Sequence, residues 1–158
     1  SEILEAVIRR NVQRTVADHL RSFALRPEES EPREFLIKFA MQIGMANQAL
    51  ETAGLVRVSF AEAHRFPVFA EMYREVTGRG IEAIGRALSL WRDGGKLDFD
   101  DDPLDLAFLA FGMLTHEVRI SAVLGTPMSR AEVQRYVTLG VDVFLRGIQS
   151  VRPKRKRK

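Results

Sequence analysis

Apolar positions recur at helical spacing over nearly the whole chain. Leu4, Ile8, Val12, Val16, Leu20 and Phe23 form one stripe, so residues 2–25 are predicted to make an amphipathic helix. Pro27 and the acidic EESEP stretch interrupt the pattern, and Pro32 suits the first turn of a second helix over about residues 32–50. There Phe35, Leu36, Phe39, Ile43, Ala46 and Leu50 share one face, while Ile37, Met41 and Met45 cover another. A helix apolar almost all round belongs in the middle of its domain or along a cavity.

The segment GLVRVSF gives a conflicting signal. Val56, Val58 and Phe60 alternate with Arg57 and Ser59 as a strand would, but no other stretch alternates, and a lone short strand is not stable. The segment is therefore predicted to begin a helix running from residue 54 to Phe66. Pro67 breaks that helix and opens the next, which carries Phe69, Met72, Tyr73, Val76, Ile84, Leu88 and Trp91. Gly78, Gly80 and Gly85 fall inside it, a sign of close packing or local weakness, and Asp93-Gly94-Gly95 ends it.

Two further helices announce their own starts. Asp102-Pro103-Leu104-Asp105 supplies an N-cap, a first-turn proline and a second acid at the positive helix end, and this helix runs to Gly125. Ser129-Arg130-Ala131-Glu132 fits a capping box. The last helix continues through Val133, Val137, Gly140, Val141, Phe144 and Ile148, with Tyr136, Leu139 and Val143 on a neighbouring face. The expected fold class is all-α, with six helices on short connections and no fixed repeat.

Composition narrows the function classes. A length of 158 residues suits one domain with a sizeable core. The absence of cysteine excludes disulfides, cysteine zinc sites and thiol nucleophiles. No uninterrupted apolar run is long enough to span a bilayer and no signal peptide precedes the first charges, so a cytoplasmic protein without a membrane partner is expected. The net charge of +3 hides a division: VRPKRKRK at the end holds six basic side chains, leaving 18 basic against 21 acidic elsewhere. Residues 1–150 are thus expected to form a mildly acidic domain, and residues 151–158 a disordered basic tail.

Catalytic patterns fail on inspection. The histidines are His19, His64 and His116; His116-Glu117 begins like a zinc-protease helix, but Ile120 stands where the second ligand belongs. Asp98, Asp100 and Asp102 imitate a calcium loop, yet Pro103 replaces the turn glycine and Leu109 the bidentate glutamate. Gly78-Arg79-Gly80 with Ala83 matches a dinucleotide fingerprint only loosely and lies inside a helical pattern. No catalytic residue, metal site or cofactor is therefore expected. What remains is apolar surface in excess of a monomeric bundle's needs, whose outlets are an internal ligand cavity and a contact with a second copy.

The sequence resembles the C-terminal regulatory domain of TetR/AcrR-family transcriptional regulators. The residues that carry this are AEAHRFPVFAEMYREV, the following long helix ending in DGGKL, the DDPLDLAFLAFGML helix start, the closing helix to FLRGI, and the opening SEILEAVIRRNV. The resemblance implies that residues 1–25 connect to a helix-turn-helix unit that this chain does not contain. An abrupt start within a helix favours separation of that unit over a stand-alone domain, so operator DNA would be reached only through it. It further implies a homodimer in which the last two helices pair as a four-helix bundle, with Ala122, Tyr136, Val137, Gly140, Val141 and Phe144 at the contact. A small hydrophobic effector would sit among Phe39, Gln42, Ile43, Phe60, His64, Phe69, Tyr73, Phe108, Phe111 and Thr115, changing the spacing of the DNA-reading heads. The alternative is a stand-alone helical interaction module whose basic tail binds nucleic acid.

Overall fold

The structure, a computed structural model, describes residues 26–150 together with the isolated helical positions Ala6 and Arg10. The stripe over residues 2–25 and the tail over residues 151–158 lie outside the described residues. After a single 3₁₀ turn at Pro27–Glu29 come α1 (Pro32–Gln48), α2 (Leu50–Glu62), α3 (Pro67–Asp93), α4 (Pro103–Val123) and α5 (Arg130–Ser150). No strand occurs among the described residues. GLVRVSF is helical, and the helix it belongs to starts at Leu50, four residues earlier than expected.

The reason is a break at Ala49, whose ψ of 131° is extended although no glycine or proline is near it. Tertiary bonds hold this corner. The Gln48 side-chain amide donates to the Val118 carbonyl and its oxygen accepts from the Met128 amide at 2.7 Å, tying the end of α1 to α4 and to the loop before α5.

Elsewhere the local chemistry behaves as read. Asp102 accepts from the Leu104 and Asp105 amides at 2.7 and 3.2 Å, capping α4. The Ser129 amide donates to Glu132, whose own amide donates to the Ser129 hydroxyl, which closes the capping box. Gly95 and Gly125 take the left-handed conformation at φ 74° and 83°. Each lets the following amide bond back into its helix, Lys96 to the Trp91 carbonyl and Thr126 to that of Ser121.

Helices α1 and α4 sit at the centre, α4 against α3, α1, α5 and α2, and α1 between α5 and α4. By length and composition α4 could cross a membrane, but half of its apolar window is buried in this protein's interior, as in a core helix. The core gathers Leu36, Phe39, Ile84, Leu88, Leu114, Val118, Val133, Val137 and Val141. Phe35 lies between Phe39 and Trp91, stacked on the first and edge-on to the second.

Glycine places α3 against α4. A Cβ at Gly80 would lie 2.7 Å from the Phe111 ring, whereas one at Gly78 would meet nothing within 4 Å. Gly78→Ala is therefore expected to stabilise the fold by roughly 0.5–1 kcal/mol through helix propensity. Gly80→Ala is expected to destabilise it by about 1–3 kcal/mol, because a buried ring must move. Urea denaturation of both variants checks the pair; equal effects would show that Phe111 does not pack on α3 as described.

A bidentate ion pair at 2.7 and 3.2 Å joins Arg33, at the start of α1, to Asp142 on α5. The hydrogen bond from Arg33 lowers the Asp142 pKa, and the guanidinium charge adds to it. A carboxylate depressed in the folded state stabilises the fold at neutral pH and loses that contribution as pH falls through its folded pKa. Asp142→Asn should thus lower the thermal midpoint slightly at neutral pH, and the gap should close in acid. A gap that persists in acid would assign the effect to packing.

Candidate functional site

The turn between α2 and α3 is built around Pro67. Phe66 is extended at φ −131° and ψ 91°, as a residue before proline must be. Its amide and that of Arg65 both donate to the Glu62 carbonyl, so the chain reverses in a few residues. The reversal brings aromatic side chains of both helices together. Phe66 meets the buried Phe69 edge-on at 6.3 Å, and Phe60 of α2 meets Tyr73 of α3 at 5.1 Å. His64 is exposed on the turn itself.

From the far side α4 contributes a charge. Arg119 lays its guanidinium over the Tyr73 ring at 5.5 Å, a cation–π distance. Its Nε is shut away from solvent and has no hydrogen-bond partner among the described residues. Burial raises the Tyr73 pKa and the neighbouring Arg119 opposes the rise. Arg57, one turn before Phe60 on α2, donates from Nε to the Val123 carbonyl at 2.8 Å. Phe60, Tyr73, Arg57 and Arg119 thus converge where three helices meet.

The ten residues expected around an effector do not form one group. Phe60, His64, Phe69 and Tyr73 lie on or beside the α2–α3 turn, Phe60 against Tyr73, Phe69 against Phe66, and His64 exposed. Phe39, Ile43, Phe111 and Thr115 are buried in the interior, and the Thr115 hydroxyl donates to the Phe111 carbonyl at 2.7 Å. Phe108 is 57% exposed on the outer face of α4. Gln42 lines a groove of about 570 Å³ between α1 and α5 with Ile37, Met41, Met45, Lys38 and Arg130, and its buried Oε1 has no partner. Arg57 and Arg119 were not anticipated; the available signal was a lone cation between Val118 and Ile120 on a mostly apolar helix.

The residues expected at a subunit contact also divide. Ala122, Val137, Val141 and Phe144 are buried within the chain's own core, so their apolarity is already satisfied there. Gly140 admits Leu114 of α4, since a Cβ there would stand 2.8 Å from a Leu114 methyl. The Tyr136 hydroxyl donates to the Met113 carbonyl at 2.6 Å, joining α5 to α4. The large apolar side chains left uncovered on these helices are Leu104, Phe108 and Leu109 of α4 and Leu139 and Val143 of α5. Among the described residues no group of acidic or histidine side chains is placed to hold a metal ion.

This arrangement of five helices, with a proline-opened α3 and a closing α4–α5 pair, is that of a TetR-type regulatory domain. Residues 34–147 match the family of the AefR-like transcriptional repressor C-terminal domain, and the chain belongs to that family. Among solved structures it is similar to a protein described as a TetR-family transcriptional regulator, from Mesorhizobium loti MAFF303099. The TM-score is 0.74 at 22% identity, over 89% of this chain and 70% of that one. No curated protein is similar enough to register as a relative.

Proposed function

We propose that this chain is the effector-binding and dimerising part of a TetR-like transcriptional repressor, non-enzymatic and cytoplasmic. It would reach operator DNA through a helix-turn-helix unit N-terminal to it. The observation that carries the reading is the uncovered apolar face of Phe108, Leu109, Leu139 and Val143 on the last two helices, within a domain of this family. Such a face on a second copy is self-complementary about a two-fold axis, and the two pairs of helices form a four-helix bundle. Effector binding is placed at the α2–α3–α4 convergence, where aromatic rings offer apolar surface and movement of α3 against α4 could pass to the partner.

The division of labour is testable with DNA. The six basic side chains of the tail can attract phosphates without selectivity; if all are engaged, log affinity falls with log salt at a slope of roughly −5. The chain alone is expected to bind a promoter duplex and a scrambled duplex equally, weakly, and only at low salt. Deleting residues 152–158 should remove that binding, and joining the chain to its helix-turn-helix unit should restore discrimination. Discrimination by the tail-deleted chain would show that the domain reads DNA itself.

A further inference from the structure

We propose that the effector is an organic acid with a flat apolar body, its carboxylate received by Arg119 and its ring laid against Phe60 beside Tyr73. This rests on the effector reading above and specifies its chemistry. Several arginines at helix surfaces have carboxylate partners: Arg26, Arg33, Arg65, Arg79, Arg86 and Arg92 each lie within ion-pair distance of one. Arg119 has no such partner among the described residues, although it is partly buried and its Nε is wholly so. A guanidinium N–H withdrawn from water without an acceptor is unfavourable, and a cation–π contact offsets only part of that cost.

A carboxylate supplies what is missing. It accepts from the guanidinium through charge-assisted bonds whose fork geometry an amide or alcohol cannot match. The surroundings favour the same sign of ligand. Arg57 places a second guanidinium at Val123, one helical turn from Arg119, while Glu62 and Glu75 on the facing helices are committed to Arg65 and Arg79. Burial pushes the Tyr73 phenol pKa up, and the guanidinium above it opposes the rise. The aromatic part of the ligand follows from Phe60, which is edge-on to Tyr73 yet 47% exposed, leaving ring surface free for stacking.

The test is calorimetric titration of the chain at neutral pH with naphthoate, naphthamide and naphthylmethylammonium, which share a ring system and differ in charge. Naphthoate is expected to bind about tenfold or more tightly than naphthamide, the ammonium compound most weakly. Arg119→Gln should bring naphthoate to the level of naphthamide while leaving naphthamide within about twofold, and Arg119→Lys should retain part of the preference. Naphthoate and naphthamide binding equally to the unsubstituted chain would overturn the acid assignment and leave the effector reading intact. Binding of none of the three would remove both. The comparison on the unsubstituted chain decides the matter even if an Arg119 variant does not fold.

Discussion

Val137→Asp is expected to abolish the folded state, while Leu139→Asp, two positions along the same helix, leaves the protomer folded. Val137 is fully buried and belongs to the core that α5 shares with its neighbours, whereas Leu139 is 61% exposed. An aspartate at 137 would be a buried charge without a partner, costing about 3–5 kcal/mol beyond the lost apolar packing. A domain of this size has roughly 5–15 kcal/mol in total. Circular dichroism and urea titration at room temperature should show little or no cooperative transition for Val137→Asp. A folded Val137→Asp would mean that the inner face of α5 is not held against α1 and α4.

Trp91→Ala should cost about 3–5 kcal/mol. The indole is 1% exposed, edge-on to Phe35 at 5.2 Å, and donates to the Pro27 carbonyl at 3.1 Å. It therefore joins the end of α3, the start of α1 and the turn before it. Trp91→Phe retains the ring contact and loses mainly the hydrogen bond, for about 1 kcal/mol. Urea midpoints for the two variants separate the contributions; a cost below about 1 kcal/mol for alanine would show that this corner is not an anchor of the fold.

Much of the fold was legible because its punctuation is local. Pro32, Pro67, Asp102 and the Ser129–Glu132 pair act within a few residues of themselves, and each opens a helix where expected. The break at Ala49 was not legible, since it depends on Gln48 reaching Val118 and Met128, far away in sequence. The last helix shows a different limit. Its two apolar stripes are plain, but periodicity does not say which one the domain's own core takes. Val133, Val137, Val141 and Phe144 make the stronger stripe and fill the core, leaving the weaker one, with Leu139 and Val143, uncovered. The candidate site was legible only in part for a related reason. Aromatic residues around Pro67 mark the junction, while Arg119 gains meaning only when α4 brings it over Tyr73.

The functional reading turns on whether the uncovered face of α4 and α5 joins two copies, and sedimentation equilibrium at micromolar concentration tests that most directly. A mass of about twice 17.9 kDa is expected for the chain, and the single-chain mass for a Leu139→Asp/Val143→Asp variant whose circular dichroism is unchanged. A folded, unsubstituted chain sedimenting at 17.9 kDa would contradict the account.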